Sequence, residues 1–568
     1  MIIKYQDAVQ QHKEFLEERS EWEAEWRNVS DFLIPGRGIF QTYAKPRKRK
    51  LTSPKVINTI GEDALNVLTS GIHGGLTSPA RPWFDLSWSD PNLKEIEPLK
   101  KWLQDCTKRL HTAFQSSNFY SIINSFYTEY AGFGTGSIFM GEHSNLEKTP
   151  FRFELLTAGE YSLSYGVDDR VDTYYRTILM SPYKLYHRFP KGVSKELKKR
   201  VEKNDAGIHK ASVTVLECVY PNEYNSKPYT QVFYELTAES QGYQSNAKEK
   251  SPLEVKGFHE HPYPTARWGT IGSDIYGIGP GSRALPDIRR LQEMERAGLM
   301  ATHKGIDPPL NVPARMRGAV NTLPGGRNYY SNVNEVISQL YQVNFDHGSA
   351  AQSMERVEQR IQRNFFNDIF LTAARDPNAS PLRTGQVHAQ EQEKMLRLGP
   401  VIERLHNELL QSIVERGFNI MLRNEMFQPL SPELAELAGS YNISLVSPLA
   451  AAQRQMELKG ITSFLGFIGQ TAQFDQQVLD NVDIDEATRE YADITGVPIG
   501  VLRSTKDVDQ IRKARAERAK AEQQREMAAQ DAVTQSQLDS ERASAAKQQA
   551  EAGKTFMETQ ETAENIGY

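Results

Sequence analysis

Cysteine is nearly missing. Cys106 and Cys218 are the only two in 568 residues. No disulfide framework can define such a fold, and both are expected to be small buried apolar side chains. No segment approaches the ~18 consecutive apolar residues that a membrane span needs, so no membrane partner is expected. Residues 1–10 carry no apolar signal core, and no secretion signal is expected. An excess of positive charge is missing too. Lys and Arg number 67 against 72 Asp and Glu, a formal net charge of -5. Affinity for a nucleic-acid backbone comes from Lys and Arg that displace counterions. A broad, tight grip on phosphates is therefore disfavoured, while loose contact through a few side chains stays open.

The common signatures of catalysis are missing as well. There is no GxxxxGK[ST], HExxH, CxxC or GxSxG. Gly132-Phe-Gly134-Thr-Gly136 and Gly277-Ile-Gly279-Pro-Gly281 are glycine-rich but lack the GxGxxG spacing, and Pro280 suits a turn better than a phosphate cradle. His259-Glu-His261 could offer two metal ligands, but neighbours two apart on extended chain merely share a face. A polar strand edge is the expected reading. Asp483 and Asp485 read as a helix start. No enzyme, cofactor or metal is expected.

What is present is mostly helical periodicity. Over ~5–33, Phe15, Arg19, Trp22, Trp26, Val29 and Leu33 form one stripe, and Pro35-Gly36 ends it. Lys45–Lys50 is a basic run, more often a solvated loop than a nucleic-acid patch. A second helix fits ~54–73, with Ile57, Ile60, Ala64, Val67 and Ile72 inward and Gly74-Gly75 at its end. Helices are also expected near 92–116 and 119–131. After Pro150 the pattern alternates: Phe151–Leu155, a hairpin of Tyr161–Tyr165 and Val171–Met180, then a pair at Ser212–Tyr220 and Tyr229–Thr237. Lys195–Lys203 reads as a short exposed helix.

The middle of the chain is more distinctive. Pro286 is expected in the first turn of a helix running to His303, with Ile288, Leu291, Met294 and Ala301 on one side. Asp307-Pro-Pro309 stops it. Residues ~306–348, rich in Pro, Gly, Asn and Tyr, read as a compact insertion. A helix over ~350–372, striped by Met354, Val357, Ile361, Phe365 and Ile369, would span about 35 Å. Pro377 and Pro381 break the next segment. A run over ~384–424 follows, expected to kink at Gly399-Pro400. More helix is expected over 448–510. Beyond ~506 the chain is Ala, Gln, Glu, Lys and Arg, with helix propensity but little to bury.

Against this background the residues resemble the head-to-tail connector (portal) proteins of short-tailed, podovirus-type bacteriophages, over most of the length. Gly75-Leu-Thr-Ser-Pro-Ala-Arg-Pro-Trp-Phe84 is similar to that family's early helix-to-turn segment. Pro262-Tyr-Pro264, Arg267-Trp268, Tyr276-Gly-Ile-Gly-Pro-Gly281 and Ala284-Leu-Pro-Asp-Ile288 resemble its centre. Arg383–Val387, Leu398-Gly-Pro400 and Arg404-Leu405 resemble the start of its long helix, although Leu382-Arg-Thr-Gly-Gln-Val387 departs from the expected Thr-Ala-Thr-Glu-Val-like run. Pro448-Leu-Ala450, Gln453-Arg454, Gly496-Val-Pro498 and Leu502-Arg503 resemble its C-terminal part.

The resemblance implies a mainly α fold with a mixed α+β wing, in the ring-forming wing, stem, clip and crown layout. The expected divisions are a wing over 1–280, stem helix 1 over 281–305, a clip over 306–348 and stem helix 2 over 349–372. A tunnel loop over 373–383 follows, then a long kinked helix and crown-side helices over 384–505, and a helical or partly disordered barrel or tail over 506–568. It implies a homo-oligomer, usually a dodecamer, at one capsid vertex of the virion, assembled in the host cytoplasm, through which double-stranded DNA is packaged and ejected. Its partners would be the terminase large subunit, tail adaptor proteins, and major capsid and scaffolding proteins. Another structural tail component, an adaptor or tube protein, is the alternative. On the tunnel loop, Arg375 and Arg383 either touch DNA phosphates or pair with local acids such as Asp376. Ile361, Phe365 and Ile369 are expected at a stem interface, with Phe365 and Phe366 equally well placed as intrasubunit core; Arg315, Arg317 and Arg327 are either clip contacts with a partner or exposed loop arginines with none.

Overall fold

The computed structural model describes residues 2–40, 53–90, 93, 96–143, 149–166, 170–193, 195–203, 208–209, 213–224, 226–236, 251–314, 320–329, 336–341, 346–370, 397–430, 432, 441–445, 448–471, 482–495, 503 and 505–564. It divides into two units, Met1–Gly466 and Phe467–Tyr568.

In the first unit, helix α1 (Tyr5–Phe32) buries Trp26 and Val29 as its stripe requires. Its one charged member is accommodated by pairing: Arg19 donates to the Tyr161 carbonyl at 2.9 Å and bridges Glu23 at 2.8 Å. A buried guanidinium is tolerable only when its donors are matched in this way. Helix α2 (Ile60–Leu76) starts later than expected, and Ile57 is exposed rather than inward. The reason is competition for backbone donors. The amides of Ile57 and Asn58 go to Gln292 Oε1, at 2.6 and 2.9 Å, instead of into a helical turn. Gly74-Gly75 does not end α2, because Leu76 beyond it is buried.

Helices α3 (Glu97–Ser116) and α4 (Phe119–Phe133) follow the expected bounds closely. Their apolar faces meet Trp83, Phe84, Phe151 and Phe153 in an aromatic core. Each such ring buried contributes roughly 1.5–3 kcal/mol from area alone. Strand β1 (Phe84–Trp88) was expected only as a turn. It pairs antiparallel with a strand at Tyr441–Leu445.

Two further antiparallel sheets build the α+β part. One has β2 (Thr135–Glu142) between β3 (Phe151–Leu156) and β9 (Thr265–Arg267). The other runs in sequence order through β4 (Tyr161–Tyr165), β5 (Val171–Met180), β6 (Val213–Tyr224), β7 (Lys227–Leu236) and β8 (Glu254–Phe258). Both expected strand pairs are present, and the basic stretch between β5 and β6 is helix α6 (Lys195–Glu202), after the short α5 (Pro182–Arg188).

The two glycine-rich segments meet each other. Gly134 stands at φ +85°, where a Cβ would overlap the Gly277 carbonyl oxygen. A Cβ on Gly281 would overlap the Gly132 carbonyl in the same way. Backbone packs directly on backbone, and no space for a phosphate remains between the two segments. This contact seats the start of helix α7 (Pro280–Ile306), whose first-turn proline is Pro280. Pro286 is therefore inside the helix, not at its start.

Helix α8 (His347–Asn364) is shorter than the expected 350–372. Phe366, at φ +55°, breaks it, and a short α9 (Asn367–Phe370) follows. Eighteen residues give about 27 Å rather than 35 Å. The break turns Ile369 into the core. Farther on, α10 (Gly399–Leu405) runs through a π turn (His406–Leu410) into α11 (Gln411–Arg423). The irregularity thus lies after Pro400, which opens α10 instead of kinking it. Helix α12 (Pro448–Thr471) follows the strand at Tyr441–Leu445, here β12. The second unit contains α13 (Ile484–Thr495) and α14 (Thr505–Glu564), 60 residues long. Arg512 on α14 makes a two-pronged bridge to Asp485 at 2.5 and 2.8 Å.

Gly134→Ala should lower stability by roughly 3 kcal/mol, from left-handed strain and overpacking together. Urea unfolding of parent and variant measures it; equal midpoints would mean the two glycine segments can part without cost.

Candidate functional site: a helix pair carrying an excursion

Helices α7 and α8 lie side by side. Arg360, late in α8, bridges Asp287, early in α7, at 2.9 Å, as an antiparallel pair requires. Asn58 spans the two: its side-chain amide donates to Glu295 on α7 and Glu358 on α8, both at 3.0 Å. Gln292, itself buried, completes the clamp by donating to the Asn58 carbonyl at 2.8 Å. Two carboxylates and two carboxamides thus fix the axial register of the rods.

Only one end of the pair is anchored. On α7 the buried residues run from Pro280 to Gln292, and on α8 they are Val357 and Ile361. Toward the other end Leu299, Met300 and Ile306 are exposed. At about 1.5 Å per residue α7 reaches about 40 Å. Asp346 caps α8, accepting from the amides of Gly348 and Ser349 at 2.9 and 3.2 Å, and the Ser349 hydroxyl together with these amides holds its carboxyl below the usual range.

Between the helices the chain makes an excursion over 307–346. Strands β10 (Leu310–Asn311) and β11 (Ser338–Gln339) form a two-residue ladder. None of its described residues is buried. Leu323, Tyr329, Leu340 and Tyr341 are all exposed, at 43–81%. So much apolar surface on a projecting segment is what an interaction surface looks like before it is covered.

The expected site residues fall as follows. Ile361, Phe365 and Ile369 lie in the chain's own core, at 0, 0 and 3% exposure. A side chain with no free surface has none to bury against a neighbour, so in this conformation they serve the subunit's core rather than an interface. Arg327 is exposed on the excursion. Arg315 and Arg317, the tunnel-loop Arg375 and Arg383, and the basic run at 45–50 lie outside the described residues.

His259-Glu-His261 divides its work. Glu260 accepts from Arg416 at 3.2 Å and from Arg423 at 2.7 and 3.1 Å. His261 Nδ1 takes the Tyr263 amide at 3.3 Å. Burial, with Arg416 nearby, pushes the imidazole down to about 4. Among the described residues no three His, Cys, Asp or Glu groups converge on a metal position.

What sequence reasoning missed was polar. Glu408, on the π turn, accepts from both the backbone amide and the guanidinium of Arg267, each at 2.8 Å. The Asn58–Gln292 clamp was likewise invisible, since carboxamides carry no periodicity.

Set beside known proteins, the chain belongs to the family of bacteriophage head to tail connecting proteins, whose model matches residues 6–502. It is 31% identical over 526 residues to a "Probable portal protein" of Bordetella phage BPP-1, covering 92% of this chain and 93% of that one. It is 30% identical over 538 residues to a "Portal protein" of Salmonella phage epsilon15, with the same coverage. A chain from a structure titled "Neck of empty GTA particle computed with C6 symmetry" overlays 71% of this chain and 86% of itself, at 10% identity and a TM-score of 0.36. That score carries no argument about the fold. Membership of the family makes this chain a structural connector of the phage particle, which points away from an enzyme.

Ile361→Asp should unfold the body locally, costing at least about 4 kcal/mol as a buried unpaired charge. Thermal unfolding of the variant checks this; a stable protein that merely fails to assemble would return Ile361 to an interface. The parent should lose stability as pH falls from 6.5 toward 4, because the unfolded chain binds a proton at His261 that the folded chain refuses. His261→Gln should flatten that dependence by up to about 1.4 kcal/mol per pH unit, read by urea unfolding at pH 7 and 5.

Proposed function

We propose that copies of this chain, twelve in the expected case, close into a ring at one vertex of the capsid, through which double-stranded DNA enters and later leaves the head. One observation carries the reading. A helix pair is anchored at one end in the core and carries at the other an excursion with no buried described residue and much exposed apolar surface. A surface of that kind calls for a neighbour, and a head-to-tail contact between identical subunits closes into a ring when its rotation allows. The curated relatives named as portal proteins support the same reading.

In this reading residues 1–280 are the wing, α7 and α8 the stem, and the excursion the clip. Residues 373–383 line the channel, 384–505 include the crown-side helices, and 506–568 are the barrel or tail. The clip faces the terminase large subunit during packaging and tail adaptor proteins afterwards. Arg315, Arg317 and Arg327 make its contacts, and binding weakens with salt. The body meets the major capsid and scaffolding proteins. Arg375 and Arg383 touch phosphates transiently, without reading bases, since packaging accepts any sequence. The ring assembles in the host cytoplasm and ends in the virion.

Mass measurement on the purified assembly, with a negative-stain micrograph, should give a closed ring of about twelve copies around a channel. A tube, a fibre or a monomer would overturn the reading. Replacing Arg375 and Arg383 together with Ala should leave the ring intact and reduce the DNA packaged per particle; normal packaging would remove their role.

A further inference from the structure

Several arginines packed in the body have an acid in reach. Arg37 has Glu129 at 3.1 Å, Arg267 has Glu408 at 2.8 Å, and Arg416 and Arg423 share Glu260. The groove between α7 and α8 is different. Arg290, Arg356, Arg360 and Arg363 line it, with Ser353 and Gln359 between them. Only Arg360 has an acid, Asp287. Arg290, Arg356 and Arg363 are exposed, and no ion pair joins any of them to an acid among the described residues. Three guanidiniums gathered without an anion repel one another. The arrangement makes sense when a negative ligand sits across it.

We infer that this groove receives the phosphate backbone of double-stranded DNA. The inference rests on the ring reading above, which puts the stem beside the channel. Three features favour phosphates. The groove is open and shallow, so a long polyanion can lie along it. Beside Val357 at its floor, its uncharged polar members, Ser353 and Gln359, are side chains that can donate to phosphate oxygens and carry no base preference. On α8, Arg356, Arg360 and Arg363 follow one another at rises of about 6 and 4.5 Å, a line of charge along the rod that suits a ligand with one negative charge per ~1.7 Å of axis. The contact stays loose. Arg360 is partly neutralised by Asp287, and the other three remain in water, where each contributes little and exchanges quickly.

The test uses the full-chain assembly and a 30-base-pair duplex of mixed sequence, followed by fluorescence anisotropy across a salt series. Two triple variants are compared with the parent: R290Q/R356Q/R363Q and R290K/R356K/R363K. Arg360 is left in place because it holds the two helices together. The Gln variant should bind at least about tenfold more weakly, and its log–log salt slope should be shallower by about 0.9 for each phosphate it no longer neutralises. The Lys variant, which keeps the charge but not the planar fork, should bind within about threefold of the parent. Equal affinity and slope for parent and Gln variant would overturn the inference. So would a parent that does not bind the duplex at low salt. Loss of closed rings in both variants, with duplex affinity per subunit unchanged, would assign the groove to carboxylates of a second copy instead. A parent that forms no ring but shows the expected Gln and Lys pattern would sink the ring reading and leave the phosphate groove standing.

Discussion

The direction in which α7 leaves the body depends on a contact without side chains. Gly132 and Gly134 lie against Gly277, Gly279 and Gly281 with backbone atoms in contact on both sides. A Cβ on Gly134, Gly277, Gly279 or Gly281 would strike backbone of the facing segment and push α7 away, and with it every residue α7 positions. Gln292 would miss the amides of Ile57 and Asn58, Asn58 would miss Glu295 and Glu358, and Asp287 would miss Arg360. The register of the helix pair is thus inherited from a close approach some distance from the pair itself. Glycine at these positions is explained by that approach and by the left-handed φ of Gly134, with no ligand involved.

A second constraint governs charge. Inside the body, buried arginines are matched with acids: Arg19 with Glu23, Arg176 with Glu217 and Glu154, and Arg416 with Glu260 and the Met140 carbonyl. Along the helix pair the matching is partial: Arg360 has Asp287 and Arg296 has Glu293, while no ion pair joins Arg290, Arg356 or Arg363 to an acid among the described residues. The net charge of -5 conceals this, because a sum over the chain says nothing about where opposite charges are separated. The total is mildly acidic, yet one groove is locally basic.

Most of the elements were legible as periodicity. The stripe of α1 and the alternation of β3 to β7 appear because burial of one face leaves a repeat in the residue types. Three things were not legible, each for a physical reason. The end of α8 depends on Phe366 adopting a positive φ, which its residue type does not announce. The pairing of Phe84–Trp88 is non-local, and five residues beside prolines carry no sign of a partner far along the chain. The division between core and interface could not be read at Ile361, Phe365 and Ile369, which are buried in the subunit, because an apolar stripe is the same whether it faces its own subunit or another. Of the expected site, only Arg327 and the stem residues fall among the described residues, and the resemblance that suggested them matched the family the chain belongs to.

The β1–β12 ladder has a consequence for biosynthesis. Trp88 pairs with Tyr441, about 350 residues later. At the ~5–20 residues per second of translation, the first of these strands waits roughly 20–70 s on the ribosome before its mate emerges. Throughout that interval an edge carrying Phe84, Leu86 and Trp88 has no native partner. Nascent chains on one messenger, spaced closely and all in this half-finished state, can pair edges with each other, so the yield of assembly-competent subunits is sensitive to how crowded the ribosomes are and to whatever shields the strand meanwhile.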